Sequence, residues 1–465
     1  MPAPISARVE SLAGRPTLLI NEVAYAPLIY ALSDCPGARN SWEEVPQRNI
    51  TEFYRQGVRL FQLDVWLNQI LAADGSIDIT YAERQIHGVT AVAPDGAVML
   101  RLHLNPTTEW CETHPDECVG YADTTPIDPP RHGLMRPLAD DGARPLRASF
   151  YSKVWQDWAH TTLTEFCEKL SATPAGNSLF GIQLAYGVYG EWHQFGFIHH
   201  DPDTGAAAMK AYRTWLQKKY QDEATLAEAW QTPGLTWSNI TAPTSEEREI
   251  AKIGVLRDPN AQRAVIDYFT FLHEDLTPVI LGFGKTAKAT WPRPLVTAAF
   301  FGYFYSVFGR QGAGAQLSVF PALNSPHLDC WCSPQSYEPD ARDFGGPGNA
   351  RGIVGVVRRA GKLWLDEMDH PTSNGSCPWD ADFSSTLAED IAMHRRNVLQ
   401  SVTRGGGQWW YDFGPTARTP KFERYGNVGW WDTPEILPEI EAIHRIVQDR
   451  MATPFARPAD ILLVH

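Results

Sequence analysis

Read for the alternation of apolar and polar positions, the chain repeats one theme. A short, nearly continuous apolar run bounded by Gly, Pro or Asn is followed by a longer amphipathic stretch. The apolar runs are Thr17–Val23, Val58–Val65, Val98–Leu104, Phe180–Tyr186, Leu295–Phe301, Leu328–Ser333, a run ending at Glu367, and Gly407–Phe413. Runs of this length without strict alternation predict strands buried on both faces. Between them, helical spacing predicts Glu44–Gln56, which Gly57 closes at the C′ position, then Trp155–Ala172, Ala206–Tyr220, Ala261–Leu281 and Leu387–Ser401. Strands alternating with helices predict an α/β fold, a (β/α)8 TIM barrel. A doubly wound sheet shares this alternation, but the chain carries no GxGxxG or Walker-type glycine fingerprint.

The barrel is assigned residues 1–450, with a last helix over 434–450. Residues 451–465 read as a linker and the first strand, about 460–464, of a further domain. Three long connections, 105–149, 231–257 and 335–349, each follow a strand. That places them on the face where barrel enzymes carry their chemistry.

Two apolar runs end in carboxylates. Gly181–His193 passes from a strand into Tyr189-Gly190-Glu191-Trp192-His193, a glutamate among aromatic rings just past the strand's carboxyl end. Gly361–Asp369 ends in Asp366-Glu367-Met368-Asp369. An apolar setting raises a carboxyl toward the range a general acid needs, and two strand-end glutamates are what a two-carboxylate glycosidase requires. The competing reading is a solvated loop Glu at 191, with Asp366 or Asp369 as the second carboxylate.

Composition narrows the substrate class. The chain carries 40 basic and 54 acidic side chains, net −14. That disfavours nucleic acid and anionic membrane partners. Its 17 Trp, 16 Tyr and 20 Phe suit stacking on sugar rings as well as a large core. No stretch of about 18 apolar residues appears, so no membrane span is expected. The N-terminus lacks a basic region followed by an apolar run, and the 7 cysteines are scattered and odd in number. Both features predict a cytoplasmic protein with reduced thiols. Asp64 and His103 are too few for a metal-dependent hydrolase, and no metal or cofactor is expected.

The Glu191 and Glu367 segments, with Glu109–Glu117 (containing His114-Pro115-Asp116-Glu117), Tyr212–Tyr220 followed by Leu226 and Ala229-Trp230, and Lys362–Asp369, resemble retaining β-glycosidases of glycoside hydrolase clan A. Within that clan they look like family 42 β-galactosidases. The resemblance implies a carbohydrate substrate, Glu191 as acid/base and Glu367 as nucleophile. It also implies a trimerisation domain after the barrel, hence a homo-oligomer, possibly a trimer. One position departs: the clan usually has Asn before the acid/base glutamate, contacting the substrate 2-hydroxyl, and here it is Gly190. Gln183, Asn21 or His193 could supply that bond, or the sugar preference differs.

The remaining substrate-binding candidates carry two readings each. Tyr337 and Arg101 could hold the nucleophile ionised, or be a packed phenol and a buried ion pair. Tyr303 follows the fifth run on the same face. Trp331, Trp379, Trp409 and Trp410 are sugar platforms or core. His193, His87 and His370 read as loop histidines with no catalytic role. A noncatalytic sugar-binding barrel would keep the aromatic cleft and lose a carboxylate, and both are present.

Overall fold

The computed structural model describes residues 3–455 except 34–38, 73, 124–145, 199, 250–255, 306–309, 315, 349, 370, 374–383 and 413–429. Eight parallel strands close on themselves: β4 (Leu28–Leu32), β5 (Leu60–Trp66), β6 (Ala97–His103), β7 (Leu179–Ala185), β8 (Val296–Phe300), β9 (Cys330–Pro334), β10 (Leu363–Met368) and β11 (Gly407–Asp412). Ladders join each to the next, and β11 pairs with β4 to complete the ring. This is the (β/α)8 architecture the alternation predicts.

The strands are buried along their whole length because helices cover their outer faces and side chains fill the lumen. The helix Glu44–Arg55 shows how the cover is made. Its buried stripe includes Ile50 and Phe53. The Phe53 ring lies 4.2 Å from Tyr30 of β4 and 5.4 Å from Trp410 of β11. Burying one such side chain contributes roughly 1.5–3 kcal/mol. Loss of Phe53 would therefore open the seam where the barrel closes.

The first predicted strand is corrected. Thr17–Val23 does not enter the barrel. Three antiparallel strands, β1 (Ala7–Leu12), β2 (Arg15–Ile20) and β3 (Val23–Tyr25), form a separate small sheet, and β4 takes the first barrel place. Ala13 and Gly14, both at positive φ, turn β1 into β2. Ile5 N–H bonds Asn177 O and Ala7 N–H bonds Pro294 O, both residues just ahead of barrel strands. The sheet therefore packs at the N-terminal end of the barrel. Leu18, Leu19 and Ile20 are as buried as a barrel strand, which is why their pattern misleads.

Inside the barrel, polar side chains fill part of the lumen. Asp64 of β5 is ion-paired with Arg101, Oδ1 lying 3.0 Å from Nε, and sits 2.8 Å from His103 Nε2, all three nearly inaccessible. Gln62 bonds Gln183 across β5 and β7. Buried charges of this kind persist only when paired and hydrogen-bonded. Among the described residues no helix is long and apolar enough to cross a membrane. The strand expected near 460–464 lies outside the described residues.

Candidate active site

Glu367 is placed by the β10 ladder. Its register partners are Trp409 of β11 and Pro334 of β9. The Trp409 indole donates to Glu367 Oε1 at 3.2 Å, and the glutamate is 3% exposed. Its neighbour Asp366 faces the other way, since successive strand residues alternate faces. Asp366 accepts from Trp364 Nε1 at 2.6 Å beside Ser401 of the Leu387–Thr403 helix, and burial pushes it up to about 6. Asp369 is held by Arg342 Nη2 at 2.5 Å and by the Tyr337 hydroxyl. Of the three carboxylates, Glu367 is the one beside the Trp409 indole.

Glu191 is placed by a turn. The strand β7 stops at Ala185, and Glu191 stands six residues further on. Gly187, Tyr189, Gly190 and Trp192 all have positive φ, at 81°, 57°, 76° and 59°. Two of these are not glycine, and each such residue costs about 1–2 kcal/mol in that region. The turn is held by Gly190 N–H to Gly187 O (3.1 Å), Glu191 N–H to Val188 O (3.0 Å) and Trp192 N–H to Tyr186 O (2.7 Å). Trp192 Nε1 donates to Leu184 O at 3.0 Å, which buries its ring near Phe150 and Phe283. Of Tyr189 and Trp192, the aromatic residues expected around Glu191, the Trp192 ring turns into the core, and other residues line the carboxyl.

Those residues are His193, Tyr303 and Tyr337. His193 Nε2 is 3.2 Å from Glu191 Oε2. The His193 ring meets Tyr303 edge-on at 4.3 Å, and Gln316 Nε2 donates to Glu191 O at 3.1 Å. Gln316 also accepts from the Tyr303 amide at 3.1 Å, so one side chain ties the turn to the end of β8. Burial raises Tyr303 well above the usual phenol range; Glu191 adds to this, and Glu367 adds a smaller push. Both glutamates therefore act on one phenol. Its hydroxyl is buried and has no hydrogen-bond partner among the described residues. The Arg351 guanidinium lies 4.7 Å from the Tyr303 ring and 4.7 Å from the Tyr337 ring. A cavity of about 810 Å³ touches this cluster at Arg351 and Ser336 and continues to Arg358 and Arg404. Neither glutamate lines it.

The candidates divide on this geometry. Glu191, Glu367, Tyr303, Tyr337 and Trp409 come together at the C-terminal end of the barrel. Asn21 does not: its amide and side chain bond Ser6, just ahead of β1, at the opposite end. Gln183 is engaged by Gln62 inside the lumen. Arg101 is the buried ion-pair partner of Asp64. Trp331 is fully buried against Phe301 and Phe304, and Trp410 donates to His394 Nε2 at 2.8 Å. Neither can serve as a platform from there. Trp379 lies outside the described residues. The Tyr337 hydroxyl is donated to Asp369.

The structure also explains Gly190. A Cβ there would lie 2.8 Å from His103 Cε1 and 3.1 Å from His103 Nδ1, so an Asn needs the imidazole to move. That ring is fixed by Asp64 and stacked on Trp66 at 4.2 Å. Of the neighbours of the Glu191 turn, pattern reading passes over Gln316, takes His193 for a loop histidine or a 2-hydroxyl contact, and weighs His103 only as a metal ligand. The paired glycines Gly187 and Gly190 were the available signal, since a tight turn brings residues 191 and 193 to one side. Among the described residues no group of three or more His, Cys, Asp or Glu side chains converges as a metal site.

No protein-family profile matches the chain, and no curated protein matches it in sequence. Solved structures do match in fold. The β-galactosidase of Bacillus circulans sp. alkalophilus superimposes with TM-score 0.59 at 17% identity, over 91% of this chain and 56% of that one. The cold-adapted β-galactosidase of Rahnella sp. R3 gives 0.59 at 14%, over 95% and 58%. The catalytic domain of β-amylase from Paenibacillus polymyxa gives 0.61 at 14%, over 86% and 98%. The chain thus spans little more than half the length of those β-galactosidases.

Proposed function

We propose that this barrel is a glycoside hydrolase that cleaves a terminal β-glycoside with retention, β-galactoside-like in its substrate. The observation that carries the reading is the buried Tyr303, tied to the Glu191 turn through His193 and Gln316, whose hydroxyl has no hydrogen-bond partner among the described residues. In this reading Glu367 attacks the anomeric carbon, with the Trp409 indole steadying its charge. Glu191 protonates the departing oxygen and then takes a proton from water. The Tyr303 hydroxyl meets a substrate hydroxyl, and burial keeps it neutral so that it can donate. Solved glycosidases of the same fold lend support at the level of architecture.

Retention requires carboxyl groups about 5–5.5 Å apart, against roughly 6.5–9.5 Å for inversion. The test is proton NMR of the first-formed sugar from aryl β-glycosides (galactoside, glucoside, mannoside, fucoside, arabinoside). The expected product is the β-anomer, from the galactoside most rapidly. A different preferred sugar changes the specificity, an α-anomer changes the mechanism, and no hydrolysis of any member removes the reading.

A further inference from the structure

The proton inventory around Glu191 points to a role for His193. The imidazole is 2% exposed and its two nitrogens face different partners. Nδ1 faces the backbone carbonyl of Gly314, which can only accept. Nδ1 therefore carries hydrogen in every protonation state. Nε2 faces Glu191 Oε2 at 3.2 Å. That separation is an ion-pair distance, and it is attractive when the two groups hold one proton between them. Neutral His193 and ionised Glu191 would set two lone pairs against each other.

We infer that His193 is a positioning residue that keeps one proton on the Glu191–His193 pair and aims it into the site. This rests on the glycosidase reading for its chemical use: a general acid must hold its proton until the leaving group takes it. The proton moves from the pair to the glycosidic oxygen as the glycosidic bond breaks. It returns from the attacking water in the second step, so the balance closes without another reactant. The pair is coupled, and the shared proton belongs to both groups.

Its surroundings fit. The Gln311–Gly314 segment pins the turn twice, through His193 to Gly314 and through Gln194 N–H to Ala313 O at 3.4 Å. Phe197 covers the imidazole at 4.5 Å on one side, with Tyr303 at 4.3 Å on another. Among the described residues, the ionisable groups near the pair are Tyr303 after β8, with Arg351 against it, and Tyr337 after β9, with Arg342 and Asp369 against it, while His103 on β6 lies beside Gly190. Burial raises both phenols far above the ordinary range, so they stay neutral where the pair works.

Two measurements on the whole chain test this. Long-range proton–nitrogen spectra of ¹⁵N-histidine protein, with His193→Asn to identify the signals, should show Nδ1 protonated. Glu191→Gln should then move the Nε2 resonance and leave Nδ1 in place. Kinetically, His193→Asn keeps an amide for Gly314 O and loses the Nε2 partner. It should lower kcat/KM about 10–100-fold on poor leaving groups and little on a dinitrophenyl glycoside. The alkaline limb of its pH profile should move to lower pH, since the shared proton is lost more easily. An Nε2–H tautomer, an Nε2 signal unmoved by Glu191→Gln, or an equal loss on all leaving groups with an unshifted pH limb would each overturn the inference. Glycoside hydrolysis with an unmoved Nε2 leaves the proposed function standing, whereas the expected spectrum in a chain that hydrolyses no glycoside removes the function and keeps the pair.

Discussion

Glu367 and Glu191 reach the same end of the barrel by opposite means. Glu367 is a strand residue. Ladder hydrogen bonds on both sides set its position, alternation sets its face, and one indole sets its carboxyl. Glu191 stands on a turn with four positive φ values, and its position depends on ties beyond the turn: Gln316, the bond from His193 to Gly314, and the His103 ring of β6 behind Gly190. The first arrangement is rigid by default. The second is rigid only while every tie holds. A nucleophile needs a fixed line of attack, and an acid that later becomes a base needs a managed proton, so the contrast suits the proposed roles.

The contrast breaks most severely if Glu367→Ala retains turnover. The expected result is loss on every substrate, measured by release of an aryl leaving group. Glu191→Ala should instead cost about 10²–10⁴-fold on poor leaving groups and little in the first step on a dinitrophenyl glycoside. Azide, which needs no general base, should rescue that variant as a β-glycosyl azide. Uniform loss at both sites would erase the distinction between them.

Two glycines sharpen it further. Gly190 and Gly361 both have φ of 76°, the first just before Glu191 and the second ahead of β10. An alanine Cβ at 190 strikes His103, while at 361 nothing lies within 4 Å. Gly190→Ala should lower kcat about 10²-fold through displacement of the carboxyl. Gly361→Ala should cost about 1–2 kcal/mol of stability and leave kcat unchanged. Equal effects of the two on kcat would show that the turn is not the weaker support.

Trp409→Phe removes a donor to a carboxylate, an interaction worth about 1.5–3 kcal/mol. It should lower kcat roughly tenfold and move the acid limb of the pH profile upward, because an ionised Glu367 loses support. The smallest effect concerns the adjacent outward residue. Asp366 has a raised pKa, from 3.8 to about 6, so its contribution to stability is full below 3.8 and lost as pH rises through about 6. Asp366→Asn should therefore raise Tm at pH 7, by at most about 3 kcal/mol in stability, with the gain vanishing below about pH 4. Activity should be unaffected, and a large loss would mean Asp366 shares the inward role.

How much of this was legible depends on the range of the interactions. Strands β5 to β11 were legible as apolar runs because a strand buried on both faces leaves little room for polar residues. Glu367 was legible for the same reason, as a carboxylate closing such a run. The alternation of faces along β10 was implicit, yet the tie to Trp409 needed the β10–β11 register. The sequence by itself could not tell β2 from a barrel strand, since both bury apolar faces. Only the hairpin at Ala13-Gly14 and its docking ahead of β7 and β8 decided it, and with it the removal of Asn21 from the site. It also could not sort Trp409 from Trp331 and Trp410, because an inward and an outward tryptophan differ by one residue of register. The Glu191 turn, its proton partner and the reason for Gly190 were decided by the tertiary structure alone. They rest on His193, Gly314, Gln316 and His103, brought together from β6 and the connections after β7 and β8. No local pattern encodes contacts made across connections that far apart in the chain.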